Sequence, residues 1–431
     1  MRKMTSKILN LSLCCIPLML HASPAIADRQ NTLSGSINLS QAYDSNIDRT
    51  DTGEIEEWTT SVIPSITFTS KSSKDSINLN YSPNFTYNYR TDVSTFKYSS
   101  LSLAADRQLS ERTKITLHDS YEKSDDSTRG RDETQDTTNR VNLSENRPRN
   151  EYWANYFNVA SNWQYRENSD LSLGFNYSVL NNSGPTEDFQ KYAPRVSINH
   201  EINHQWSVRG GYVFTKGDFE SSPDTREHNI NGVLSYHLTP HKTIFGVGDY
   251  LTTDNDGNKT DYHTTGGQLG YSQQLDEKTA LSCAAGYSVT EIDNGQDSDG
   301  MNYTLSLRRM LEKGAFSLTG AGGYENQQFN GENLGLSQFW SFKSTIAYQL
   351  AERLSSAAYA LYSNNKYIQD IPERKDNSYE VGGSLSWSFY RWYAAGVRYV
   401  FHKLDSNQAG NDYEDHRVFM TLSASKDLWI W

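Results

Sequence analysis

Residues 77–90 read INLNYSPNFTYNYR, and their strict alternation limits what the chain can fold into. Ile77, Leu79, Tyr81, Pro83, Phe85, Tyr87 and Tyr89 form one set, while Asn78, Asn80, Ser82, Asn84, Thr86, Asn88 and Arg90 form the other. Successive side chains of a β-strand point to opposite faces, so this is one long strand with an apolar and a wetted face. LSLGFNYSV at 171–179, TLHDSY at 116–121 and YEVGGSLSWSF at 379–389 repeat the pattern. Strands of soluble proteins average about five or six residues. About nine to eleven are needed to cross a bilayer at a tilt, and these runs match that length.

Short polar turns separate the runs: KSSKD at 71, LSER at 109, RENSD at 166, INHQ at 202, LTPHK at 238, LDEK at 275, LEKG at 311, LAER at 350 and YRW at 390. They recur roughly every 36 to 39 residues, with one gap of nearly 58. Longer loops such as TDNDGNKT at 253–260 and EIDNGQDSDG at 291–300 lie between them. Nine short turns join ten hairpins, which predicts about twenty strands, within a range of about 18 to 22. A β-propeller has a similar period but needs four short strands per repeat, and no Trp-Asp or Gly-His signature appears. The pattern predicts an all-β fold: a transmembrane, antiparallel, up-and-down β-barrel with short turns on one side and long loops on the other. Closure would pair every backbone amide within the lipid.

The first residues suit that destination. A cationic MRKMTSK, an apolar ILNLSLCCIPLML and a small-residue site at Ala25-Ile26-Ala27 predict a cleaved signal peptide over 1–27 and a barrel over 28–431. Without the leader the chain carries 37 basic and 52 acidic residues, a balance that excludes a nucleic-acid binder. Cys283 is the one cysteine left, so no intrachain disulfide is expected. Aromatic residues reach 12 per cent although apolar residues total only 36 per cent, which argues against disorder and for strands apolar on one face.

The stretch HEINH at 200–204 fits the letters of a zinc-peptidase motif. Such a site needs both histidines on one helical face, about 6 Å apart. Here VSINHEI alternates and then runs into a turn, and along a strand the same spacing is about 13 Å. No zinc site is predicted. In TDNDGNKTD the register placing Gly257 sixth puts Thr252 first and His263 twelfth, where a calcium loop wants Asp and Glu. No nucleophile elbow and no phosphate loop appears, so the expectation is no enzyme, no metal and no cofactor.

The polar strand faces should line the lumen. They carry Arg195, Arg209, Arg308, Lys343, Arg398 and Arg417, with Glu201, Glu325 and Glu380. Arg398 and Arg417 project inward from neighbouring strands by parity. A basic wall facing acidic loop groups would set a transverse field that orients polar or anionic solutes. The plainer reading is that these charges are solvated in a wide pore. Residues 122–150, EKSDDSTRGRDETQDTTNRVNLSENRPRN, form the third long loop, between the fifth and sixth strands. It is read either as an external, partner-contacting loop or as a constriction.

Two stretches carry a resemblance. The chain opens with SGSINLSQAYDSNIDRT, whose Tyr43, Asp44, Ser45, Asn46 and Ile47 end the first strand, and it closes on DLWIW with Trp431 last. The opening and the layout resemble outer-membrane β-barrel porins encoded beside exopolysaccharide genes. The aromatic end is similar to that of bacterial outer-membrane barrels, with Trp where Phe is usual. The resemblance implies the bacterial outer membrane, with its lipid and lipopolysaccharide as surroundings. It also implies insertion by the barrel-assembly machinery through the C-terminal strand. It implies a porin-like channel for passive passage of polar solutes, extending to polysaccharide export with exopolysaccharide or periplasmic export components as partners. In general porins the third loop folds inward, so the place of 122–150 resembles a constriction loop. The alternative is a structural or adhesion barrel, with a plugged lumen and surface loops that bind a partner.

Overall fold

The computed structural model describes residues 29–431 apart from 92, 126–149, 185, 258–259, 294, 330–333 and 369–372. The alternating runs form β1 (Gln30–Asp44), β2 (Glu57–Lys71), β3 (Asp75–Asn88), β4 (Val93–Ser110) and β5 (Thr113–Ser124). There follow β6 (Tyr152–Arg166), β7 (Ser169–Asn182), β8 (Phe189–Glu201), β9 (Trp206–Phe219) and β10 (Thr225–Thr239). Next come β11 (Lys242–Asn255), β12 (Tyr262–Asp276), β13 (Thr279–Ile292), β14 (Ser298–Leu311) and β15 (Gly314–Asn326). The last are β16 (Leu336–Ala351), β17 (Leu354–Tyr367), β18 (Arg374–Tyr390), β19 (Tyr393–Ser406) and β20 (Tyr413–Ile430). Each strand pairs antiparallel with its chain neighbours, and β20 returns to pair with β1 from Thr32↔Ile430 to Asp44↔Arg417. The ring is closed. All nine short turns fall where the sequence places them. The third long loop begins later than its sequence boundary, because Glu122, Lys123 and Ser124 still belong to β5.

One local device recurs at the short turns. Register shifts fall at Gln108/Ser110, Gln164/Arg166, His237/Thr239, Gln274/Asp276 and Gln349/Ala351, each beside a two-residue connection. A bulge of this kind adds twist where a tight hairpin needs it. At three of the four bulges that carry Gln the side-chain amide braces the turn: Gln108 and Gln274 donate to the backbone carbonyls of Ser110 and Asp276 at 2.6 Å, and Gln349 donates to that of Glu352 at 2.8 Å. The intervening Leu109, Leu238, Leu275 and Leu350 point outward and are exposed.

At the opposite end an aspartate closes many loops. The backbone N–H groups of Asn182, Phe219, Asn255 and Ile292 donate to the carboxylates of Asp188, Asp224, Asp261 and Asp297 at 2.6, 3.0, 2.6 and 3.1 Å. A carboxylate accepting a backbone N–H satisfies a donor that the ladder leaves open where the strand ends.

The outer face is layered. Ile230, Leu234, Ile244, Leu269, Ile346, Val381, Leu385, Met420 and Leu422 form an exposed aliphatic band. Tyr212, Tyr250, Tyr287, Trp340, Tyr379 and Tyr399 border it on the long-loop side, and Trp163, Trp206, Trp387 and Tyr393 on the short-turn side. Aromatic girdles around an apolar band are what the two membrane–water interfaces favour. Two stretches of the long-loop rim share one construction. Tyr212 hydroxyl meets His228 Nδ1 at 2.8 Å, and Tyr399 hydroxyl meets His416 Nδ1 at 2.8 Å. Lys216 and Lys403 pair with Asp218 and Asp405 at 2.6 and 3.1 Å.

Leu269 lies midway along β12 and is 75 per cent exposed. Replacing it with Arg should destabilise the folded barrel by about 2–4 kcal/mol, the cost of a charge at the lipid midplane. Gln268→Arg, on the wet face one residue away, should cost far less. Urea unfolding in lipid vesicles measures both.

Candidate functional site

Exposed apolar neighbours set the parity of each strand and so place the charged residues singled out in the sequence. Ile198, Tyr212, Met301 and Phe342 face outward on β8, β9, β14 and β16, so Arg195, Glu201, Arg209, Arg308 and Lys343 face the interior. The same reasoning from Val381, Val397 and Met420 turns Glu380, Arg398 and Arg417 inward. Glu325 lies next to the end of β15, where the strand bends inward.

These residues differ in exposure, with Glu201, Lys343 and Arg398 half-buried. Arg195, Arg209, Arg308 and Glu325 are exposed, although they belong to the inner face. An exposed side chain inside a ring of strands stands in water. Gly174 makes room for one of them: a Cβ there would lie 2.5 Å from Nε of Arg195, so the guanidinium stem lies across the bare backbone. Glu380 and Arg417, by contrast, are buried in the wall.

The β16–β20 wall is a packed polar network. Glu380 accepts the hydroxyl of Tyr359, and Lys343 Nζ lies 5.8 Å from that tyrosine ring. His402 bridges Ser378 at 2.9 Å and Tyr413 at 3.0 Å, one nitrogen to each. Arg374 meets Asp376 at 2.6 Å, and Arg417 meets Asp415 at 3.0 Å. Arg398 stacks 4.3 Å above the Phe419 ring. Buried charges persist only when compensated: Glu380 and the Arg374–Asp376 pair are hydrogen-bonded, while Asp415 and Arg417 meet as an ion pair.

The sequence did not reveal the feature that most shapes the mouth. Pairing of β14 with β15 runs from Leu311↔Gly314 only to Tyr303↔Gly322, while β15 and β16 stay paired to Asn326↔Leu336. Beyond Gly322 β15 therefore parts from β14, while β16 stays in the wall, paired with β17 to Ser337↔Tyr367, and it is the tip of the β15–β16 hairpin that turns inward. Gly323 sits at φ +152°, a conformation that L side chains rarely adopt. The tip then docks on inner-face residues of other strands. Asn326 donates to Glu227 of β10, and Gln328 donates to Asn255 of β11 at 3.4 Å. Phe329 packs against Phe189 and Phe219 at 5.5 and 5.4 Å between ring centres, with Lys191 Nζ 4.4 Å from its own.

The landing place is apolar. Tyr152, Ala154, Leu180 and Phe189, on the inner faces of β6, β7 and β8, form a buried cluster joined by Phe219 and Phe329. Apolar residues at wet-face positions near the long-loop ends of β6–β9 were the available signal. The constriction expected of the third loop falls on 126–149, outside the described residues.

HEINH is settled by geometry. His200 faces outward and its Nδ1 meets the Tyr165 hydroxyl at 2.9 Å. His204 is in the turn, with Nδ1 3.4 Å from Glu201. The two histidines do not converge, and no group of three metal-ligating side chains occurs among the described residues.

Comparison with known proteins agrees with the fold. Residues 335–426, most of β16–β20, match the family described as Putative beta-barrel porin 2. Residues 190–294, in β8–β13, match the family described as Surface lipoprotein assembly modifier. No curated protein matches the chain in sequence. Among solved structures, a variant of the Pseudomonas aeruginosa ferric enterobactin receptor PfeA with enterobactin is 9% identical, covers 92% of this chain and 81% of its own, and has a TM-score of 0.52. Acinetobacter baumannii OccAB4 is 10% identical over 94% of this chain and 100% of its own, with a TM-score of 0.46. Pseudomonas aeruginosa OpdK with vanillate is 12% identical over 91% and 99%, also at 0.46. With its closed twenty-strand ring, its apolar girdled exterior and a porin-family match in its last five strands, the chain is a multi-pass β-barrel of the bacterial outer membrane.

Proposed function

We propose that this barrel is a passive channel for polar solutes, with anions favoured over cations. The observation that carries the reading is the set of exposed inner-face arginines, Arg195, Arg209 and Arg308, none of which forms an ion pair among the described residues. Twenty strands enclose more space than wall side chains can fill. Guanidinium groups standing in that water attract anions and repel cations.

The reading extends to carbohydrate. Asn78, Asn80 and Ser82 of β3 and Asn158, Asn162 and Asn176 of β6 and β7 stand on the inner face, where amide and hydroxyl groups exchange hydrogen bonds with sugar hydroxyls. Export of a secreted polysaccharide, with periplasmic export components as partners, is the specific form of passage this wall would serve.

Planar-bilayer recording tests both parts. The intact barrel should open stable channels whose reversal potential in a salt gradient shows anion preference. Arg195→Ala/Arg209→Ala/Arg308→Ala should move that potential toward cation selectivity with little change in conductance. No channels at all would favour the adhesion barrel with a plugged lumen.

The β15–β16 tip adds a second expectation. Phe329→Ala removes a ring whose burial is worth about 2 kcal/mol, so the tip should spend roughly thirtyfold more time undocked. Single-channel records should show longer or larger openings than the intact barrel. A chain lacking residues 124–148 gives the parallel test of the third loop. If its conductance is unchanged and that of Phe329→Ala rises, the tip is the constriction.

A further inference from the structure

Where β15 parts from β14, a cleft of about 390 Å³ opens on the membrane side of β14 and β16–β18. Its floor is Met301 and Tyr303 of β14 and Trp340 of β16. Asn364 and Lys366 of β17 and Lys375 of β18 form its long-loop edge. Met301 is 70 per cent exposed. Trp340 is held upright by Tyr362, 4.7 Å between ring centres.

The charge at this edge differs from that at two other points of the rim. Lys216 and Lys403, elsewhere on the outer rim, each face a carboxylate of their own at 2.6 and 3.1 Å, and each pair is neutral. Lys366 and Lys375 share one carboxylate, Glu373, at 2.9 and 3.0 Å. Hydrogen bonds from the two ammonium groups, Lys366 first, hold the Glu373 carboxyl below its ordinary range, so it stays ionised and the trio keeps one net positive charge. Glu373 also draws the ammonium groups together beside the cleft. Two ammonium groups with donors to spare, above an aromatic floor level with the upper interface, make an amphipathic site.

We propose that this cleft binds the phosphate-bearing headgroup of an anionic membrane lipid, with its phosphate at Lys366 and Lys375 and an acyl chain along Trp340 and Met301. A soluble anion would use the lysines and leave the apolar floor bare. A zwitterionic lipid would use the floor and leave the extra charge unanswered. The anionic lipid uses both. The site is on the outer wall and does not depend on whether the barrel conducts.

Trp340 supplies the probe. The full barrel, in vesicles with brominated phosphatidylglycerol or brominated phosphatidylcholine, is compared with Trp340→Phe so that the quenching of this one indole is isolated. The anionic lipid should quench it at lower mole fraction. Lys366→Gln/Lys375→Gln should reduce that preference by roughly ten- to thirtyfold, because a cation near a membrane surface is worth about 1 kcal/mol. Glu373→Gln should strengthen it, whereas loss of a merely structural ion pair would weaken it. Slower gel migration after boiling in SDS confirms that each variant is folded beforehand, and Glu373→Gln carries the test if the double variant is not. Equal quenching by the two lipids overturns the proposal, as does an unchanged preference in the lysine variant. Full relief of quenching by millimolar inorganic phosphate would make this an anion site without a lipid and also overturn it.

Discussion

Hydrocarbon offers no partner to a backbone amide, and most of this structure follows from that. An unpaired N–H or C=O in the bilayer costs several kcal/mol, so a sheet that crosses it cannot keep an edge. The chain meets the requirement by returning β20 to β1, a contact nearly four hundred residues apart in sequence, and the ladder is continuous over most of both strands. Even the terminus takes part: Asn31 and Trp431 exchange backbone hydrogen bonds at 2.8 and 3.0 Å. Once the ring is closed, pairing is interrupted beside Pro83 and Pro194, and further open backbone groups lie at the strand ends. There, glutamine amides brace the short turns and aspartate carboxylates cap the long loops.

The ring relaxes between β14 and β15, and the position of that seam follows the same requirement. At Gly322 the wall gives up its β14–β15 pairing, and it does so at the long-loop end, where water can reach the freed groups. The β15–β16 pairing continues through the departure, so the tip carries its own hydrogen bonds across the mouth. β15 keeps a backbone partner because β16, itself held by β17 to Ser337↔Tyr367, runs beside it to Asn326↔Leu336. The inner dock and the outer cleft both lie at the end of the barrel where β15 parts from β14.

The fold was legible in the sequence because period and length are local properties. Alternation names the two faces, its span names the solvent, and the turn spacing counts the strands; all nine short turns came out in place. The placement of HEINH was likewise legible: it falls on a strand end, where His200 and His204 diverge. The dock was not legible in the same way. Phe329 meets Phe189 and Phe219 across the interior, and no pattern along the chain encodes which strands face each other across a ring. A partial clue was present, because Leu180 and Phe189 break the polar rule for inward positions. The division of lumen charges was hidden for a similar reason: parity turns Arg195 and Arg417 inward alike, and only packing leaves one in water and buries the other.

Alternation also lets the two faces answer to different demands. Tyr212-Val213-Phe214-Thr215-Lys216-Gly217-Asp218 on β9 and Tyr399-Val400-Phe401-His402-Lys403-Leu404-Asp405 on β19 lie ten strands apart in a ring of twenty. Their outward residues are the same four, and each set meets a histidine on the next strand: Phe214 with His228 at 5.1 Å, Phe401 with His416 at 5.0 Å. The membrane interface is uniform around the barrel, so one rim solution serves on opposite sides. Most inward neighbours differ: Thr215 and Gly217 stand where His402 and Leu404 stand. Glu227, beside His228, receives the hairpin tip, whereas Asp415, beside His416, pairs with Arg417. Lipid holds the outer face of both segments to one composition, and the interior imposes no such uniformity. Inner-face residues can therefore change what passes or docks without disturbing the ring, which places specificity in the positions whose side chains never meet lipid.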